Sequence, residues 1–167
     1  MTDQQLMWAI RNAIRAGDTT QALQLIESDE SQLQAVTPFG TWLHVASAFG
    51  NMELVKYLVK KGVDINKNSG ILGGAPINEA ASKGHLDVVR YLLSYGALLD
   101  TSNSQYNPLF SAIYGGHAQI VNLLLEEGMD ATVKYTGKRM KDMDALAFAK
   151  ERGQTEIAKV IATHLQR

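Results

Sequence analysis

Between Pro76 and Gly96 the apolar residues fall into two short helical registers parted by a glycine. Pro76 suits the first turn of a helix, where its missing N–H is no loss. Ala80 and Ala81 give that helix a flat, small face, and Gly84 is placed to stop it. After His85, a second helix carries Leu86, Val88, Val89, Leu92 and Leu93 as one apolar stripe, and Gly96 ends it. Neither helix is long enough to be stable alone. Each therefore needs cover from neighbouring units of the same kind.

Self-comparison finds those units. The triplet Ile77, Ala80 and Gly84 recurs as Leu43, Ala46 and Gly50, and again as Leu109, Ala112 and Gly116. Ile10, Ala13 and Gly17 match before them, and Leu146, Ala149 and Gly153 after them. From Ile10 the first members are spaced by 33, 34, 32 and 37 residues. A second glycine lies 19 residues beyond the first member in the three central units, at Gly62, Gly96 and Gly128. A period near 33 predicts an all-α stack of helix pairs.

The repeated unit resembles the ankyrin repeat, with its Thr-Pro-Leu-His opening, paired alanines, Gly-His and Leu-rich second helix. Thr41-Trp42-Leu43-His44 keeps the opening except for Trp in place of Pro. Pro76-Ile77-Asn78 and Pro108-Leu109-Phe110 keep the proline, and Gly84-His85 and Gly116-His117 keep the second motif. The resemblance covers roughly residues 5 to 165. It implies one ankyrin-repeat solenoid over 1–167, with hairpin loops and units at about 3–36, 37–69, 70–102, 103–136 and 137–167. The two end units are degenerate, as caps facing water are expected to be.

In the resemblance, partner contacts lie just before the opening motif and five to six residues after its leucine, on the concave side. Mapped here, those positions and their neighbours make Phe39, Trp42, Phe49, Leu72 and Glu79 candidate partner-binding residues. Lys83, Tyr106, Tyr114, Met143 and Arg152 complete that set. Phe49, Leu72, Tyr106 and Tyr114 are expected to form an apolar-aromatic strip, since interface centres favour such side chains. Trp42 has the alternative of packing between hairpins, and Phe49 that of packing on its neighbouring repeat. Glu79, an acid in a small apolar helix, is expected as an exposed contact of the inner face.

Bulk properties narrow the function further. Hydrophobic residues at 46% and charged residues at 20% describe a globular chain. A net charge of −1 gives no general pull toward nucleic acid or an anionic membrane. Without cysteine, thiolate catalysis, disulfides and Cys-based zinc sites are excluded. No signal-peptide pattern opens the chain, and no stretch reaches the roughly 20 apolar residues that span a bilayer. A soluble, cytoplasmic protein, monomeric when free, is expected.

Catalytic patterns are also missing. The glycine-rich run 68–74 lacks the Gly-Lys-Ser/Thr of a phosphate loop, and neither a Gly-x-Ser-x-Gly turn nor a His-Glu-x-x-His pair occurs. His44, His85 and His117 occupy motif positions, where the resemblance implies helix starts and hydrogen bonds between repeats. Lys134, Lys138, Arg139 and Lys141 make the last connection locally basic, as a solvated loop or a contact for an acidic partner. We expect no enzyme, no cofactor and no metal. The expected activity is binding of another protein, with occlusion of its site as the leading mode. Short ankyrin chains of this kind resemble bacterial immunity proteins that cap a cognate toxin. An adaptor joining two proteins is the alternative, and a small hydrolase the reading from another class.

Overall fold

The computed structural model describes residues 1–71, 73–137 and 140–167. Among them are ten α-helices in five consecutive pairs, the all-α arrangement expected from the repeat. The pairs are α1 (Asp3–Ala16) with α2 (Thr19–Glu27), α3 (Trp42–Ala48) with α4 (Met52–Lys60), and α5 (Pro76–Lys83) with α6 (Leu86–Ser94). They continue as α7 (Pro108–Gly115) with α8 (Ala118–Glu126), and α9 (Ala145–Glu151) with α10 (Thr155–His164). First helices stack in the order α1, α3, α5, α7, α9, and second helices in the order α2, α4, α6, α8, α10.

The recurring residues explain the stack. Leu43, Ile77 and Leu109 are fully buried, as are Ala46, Ala80, Ala112 and Ala149. The alanines present no side-chain bulk, so successive first helices approach closely. Second helices supply the remaining core through residues such as Leu54, Leu58, Val89, Leu92, Val121 and Leu124. Gly84 and Gly116 close α5 and α7 in the left-handed conformation, with φ of 85° and 82°. Gly84 has a second duty. A Cβ there would lie 2.6 Å from the His117 ring of the next pair.

Histidines and asparagines tie neighbouring pairs together. The Thr41 backbone N–H donates to His44 Nδ1 at 3.2 Å, which leaves Nε2–H to donate to the Gly74 carbonyl at 3.1 Å. His85 Nε2–H donates to the Ala48 carbonyl at 3.0 Å, and His117 Nε2–H to that of Ser82 at 3.1 Å. These are the roles the motif implies. In the third pair Asn78 stands at the His44 position and donates across to the Tyr106 carbonyl at 2.9 Å.

Two connections between pairs carry local structure of their own. Glu30–Gln34 forms a 3₁₀ turn whose start is capped by the Asp29 carboxylate, which accepts from the Ser31 N–H at 2.9 Å. The connection before α9 contains β1 (Tyr135–Gly137) and β2 (Met140–Met143), paired antiparallel with Tyr135 opposite Met143. Lys134 and Asp142 form an ion pair beside it at 3.3 Å. Lys138 and Arg139, two cations of the basic stretch, lie outside the described residues. No helix among the described residues is long and apolar enough to cross a membrane.

Candidate functional site

The face made by the first helices carries two grooves that share Ile71, Ser82 and Tyr114 and so run into each other. The larger, about 540 Å³, lies over α1, α3 and α5. Arg11, Phe39, Phe49 and Lys83 contribute to its walls. The smaller, about 220 Å³, continues over α7 and α9 between Tyr114, Phe110, Phe148 and Met140. Mixed aromatic, aliphatic and cationic walls suit a polypeptide ligand.

An arginine stands on rings at each end. On α1, the Arg11 guanidinium carbon lies 4.4 Å from the Phe39 ring centre, 5.6 Å from that of Trp8 and 6.0 Å from that of Phe49. Trp8 meets Phe39 edge to face at 5.4 Å. At the other end Arg152 lies 4.4 Å from the Tyr114 ring and 5.6 Å from that of Phe148, and its Nη2 donates to the Tyr114 carbonyl at 3.4 Å. Phe148 stacks on Phe110 at 5.0 Å, and Phe110 meets Tyr135 edge to face at 4.9 Å. Each cation is attracted by the negative faces of its rings. Those aromatic supports fix where it stands.

The expected site residues are distributed unevenly over this geometry. Phe39, Phe49, Lys83 and Tyr114 line the grooves, and Arg152 covers Tyr114. Phe49 and Tyr114 are 39% and 57% exposed. Tyr106 is half-buried and stands outside both groove walls, with its carbonyl held by Asn78. Met143 is half-buried in β2, and Met140 reaches the smaller groove in its place. Leu72 lies outside the described residues.

Two expectations need correction. Trp42, placed beside the partner strip, is fully buried as the first residue of α3. Its ring is spent on the core, so the packing alternative is the one realised. Glu79 is 7% exposed rather than an open contact. The connection before α5 folds over it: a Cβ at Gly70 would lie 3.5 Å from Glu79 Oε1. Glu79 still borders the larger groove.

Sequence reasoning missed Trp8, Arg11, Phe110 and Phe148. Counted five to six residues beyond Ile10, the contact positions of the first unit fall on Arg15 and Ala16 instead. Yet α1 has 14 residues against seven or eight in α3, α5 and α7, so it presents nearly two extra turns of surface. The available signal was an exposed Trp8 three residues before Arg11, on one side of an amphipathic helix.

Burial pushes the His44 imidazole below the usual histidine range, although the Gly74 carbonyl beside it favours the protonated ring. A neutral His44 fits its role as an Nε2–H donor with Nδ1 accepting.

Comparison with known proteins gives a consistent result. A family model described as ankyrin repeats (3 copies) matches residues 6–103 and 43–135. The chain is similar to human protein phosphatase 1 regulatory subunit 27, with 36% identity over 118 residues, 70% of this chain and 76% of that protein. It is 32% identical over 120 residues to an ankyrin repeat protein of Rickettsia felis, covering 72% of this chain and 46% of the other. Similarity to the E3 ubiquitin-protein ligase Ufd4 of Drosophila melanogaster spans 89% of this chain at 29% identity, but 6% of the ligase.

Proposed function

The chain belongs to the ankyrin-repeat family, and from that premise we propose that it is a regulatory binding protein that covers a functional site of one partner protein with its first-helix face. The observation that carries this reading is the continuous groove from Arg11 to Phe148, walled by aromatic and cationic side chains of which Phe49, Lys83 and Tyr114 are exposed. Five helical units, at about 3–36, 37–69, 70–102, 103–136 and 137–167, divide the work. The end units are caps that also contribute to binding. Phe39, Phe49, Lys83, Tyr114 and Arg152 are the contact residues, joined by Trp8 and Arg11.

Trp8, Phe49, Ile71 and Tyr114 are 42%, 39%, 73% and 57% exposed, so part of each is covered already. Covering the remainder would contribute roughly half of the 1.5–3 kcal/mol that full burial of an exposed side chain gives, on the order of 3–6 kcal/mol in all. That sum offsets only part of the cost of association, so hydrogen bonds and charge must supply the rest. Binding without turnover is the activity assigned. A human relative whose name makes it a regulatory subunit favours control of a partner over chemistry. Neutralising a toxin by capping it is one form of such control.

The test compares partner capture from the source cell by native protein and by a Phe49→Ala/Tyr114→Ala variant of equal thermal stability. Loss of the native protein's partner from the variant is expected. Equal retention by both proteins would refute the face. Co-expression then separates roles. A toxin inhibitor restores growth and holds one partner, whereas an adaptor holds two at once and restores nothing.

A further inference from the structure

The first-helix face carries a charge pattern that selects among polypeptides. Arg11 and Lys83 line the larger groove, and Arg152 stands over the Tyr114 ring shared by both grooves. Among the described residues the one ion pair is Lys134–Asp142, and none joins these three cations to a carboxylate. The one carboxylate on the groove walls, Glu79, is almost wholly buried. The chain as a whole has a net charge of −1, so this face is basic against its background.

Geometry makes the two arginines more than loose surface charge. Each has its guanidinium within 4.4 Å of a ring centre, and a second ring lies within 5.6 Å. A guanidinium laid on a ring keeps its edge N–H groups directed outward, where they can meet a carboxylate in paired hydrogen bonds. The Arg11 guanidinium makes no hydrogen bond among the described residues, and that of Arg152 uses one Nη2 contact at a long 3.4 Å. Preordered forks of this kind recognise carboxylates.

Resting on the partner-binding reading above, we propose that the groove takes an extended acidic segment of the partner, with one carboxylate on Arg11, another on Arg152, and apolar side chains seated between them. The spacing sets its length. The Arg11 guanidinium lies by Phe39 and Phe49 beside α3, and that of Arg152 by Tyr114 on α7, so two to three helix-to-helix steps of about 8–10 Å separate them, roughly 16–30 Å. An extended chain rising about 3.3 Å per residue crosses that distance in roughly 5–9 residues, which a dodecapeptide exceeds. Ile71, 73% exposed where the grooves meet, faces the middle of such a segment. A nucleic-acid strand fits less well. It brings a phosphate at every nucleotide, and three cations on a chain of net charge −1 cannot match that density.

The probe is a phage-displayed library of random dodecapeptides selected on the intact chain. Enriched peptides are then synthesised with a fluorophore and titrated by anisotropy. Peptides with Asp or Glu near both ends and aromatic or aliphatic residues between are expected. Their affinity should fall about tenfold or more when the acids become Asn and Gln, and by a similar factor in Arg11→Met/Arg152→Met. It should also weaken as salt is raised. The peptide-side change needs no altered protein, so it decides the matter even if the arginine variant is unstable.

Enrichment of neutral or basic peptides, no enrichment at all, or acidic peptides indifferent to both changes would overturn the proposal. A fluorescent thymidylate dodecamer bound as tightly as the peptides would overturn it in favour of nucleic acid. Neutral peptides that are lost from Phe49→Ala/Tyr114→Ala would remove the acidic requirement and leave the binding face standing. Peptides bound equally by that variant would remove the face as well.

Discussion

Asn78→Ala is expected to open the seam between the third and fourth helical pairs. Asn78 is 1% exposed at the start of α5. Its Nδ2 donates to the Tyr106 carbonyl at 2.9 Å, the Ser111 hydroxyl at 3.1 Å and the Gln105 carbonyl at 3.3 Å. Its Oδ1 accepts from the Ala75 N–H at 3.1 Å. Truncation strands the Ala75 N–H and the Tyr106 carbonyl together. A buried group left unpaired costs roughly 1–3 kcal/mol. Water can reach the Tyr106 end, because that residue is only half-buried. The expected loss is therefore about 2–4 kcal/mol. For a chain of this size each kcal/mol lowers the unfolding midpoint by about 2–4 °C, giving a drop of roughly 4–16 °C. Circular dichroism at the helical minimum measures it, with urea unfolding as a second axis. Because pairs couple mainly to their neighbours, the variant should also unfold less cooperatively, in N-terminal and C-terminal blocks. A midpoint within about 2 °C of native, with an unchanged urea slope, would refute the claim that this side chain couples the pairs.

Three other perturbations probe the same stack. Ala80→Leu adds bulk at a fully buried position where α5 meets α3 and α7, and should cost about 1–3 kcal/mol in urea unfolding; an unchanged midpoint would contradict close helix contact there. Trp42→Ala empties a fully buried site and should cost about 3–5 kcal/mol by the same assay, while a loss of partner binding without a loss of stability would return Trp42 to the surface. Stability should fall as pH is lowered from 7 to 5. Burial holds native His44 below the ordinary histidine value of about 6.5, so the unfolded chain takes up its proton first, and the stability present above that value is lost as pH falls through it. Asp100 and Asp130, lowered by hydrogen bonds from Ser102 and Thr132, act only below about pH 4, so His44→Gln should flatten the slope between pH 7 and 5.

Much of the stack was legible because its constraints are local and repeated. A small residue is needed wherever two first helices touch, and a glycine wherever a helix ends beside the next pair's ring. Ala46, Ala80 and Ala112 satisfy the first need, and Gly84 satisfies the second. The 3₁₀ turn at Glu30–Gln34 was not legible, and the β1–β2 pairing was legible only through the hairpin loops that the resemblance implies, since single turns and short strands carry too little periodicity. Trp42 misled because an aromatic residue at a motif position normally held by proline has no pattern to mark it as inward. Glu79 misled for a different reason. Its helix position is correct for the inner face, but the connection near Gly70 covers it, and helical periodicity says nothing about where a loop lies.

The placement of groove side chains follows from the same close contacts. Six residues beyond the repeat's first apolar position the chain has Phe49, Lys83, Gly115 and Arg152. Three of these carry bulk into the site, and the fourth cannot. A Cβ on Gly115 would collide with the Ser82 carbonyl of the preceding pair and crowd the His117 ring. The fourth pair places its bulk one residue earlier, as Tyr114, and that ring then lies within reach of Arg152 from the fifth pair. Ser82 takes part on both sides of the arrangement, since its carbonyl accepts from His117 and its own residue borders both grooves. A backbone contact that holds two helices together thus decides where an aromatic ring can stand. Changes confined to Phe49, Lys83 or Tyr114 should alter recognition with the core intact, because those side chains project beyond the buried alanines. Changes at Gly115 would alter recognition only by first disturbing the helix packing beneath it.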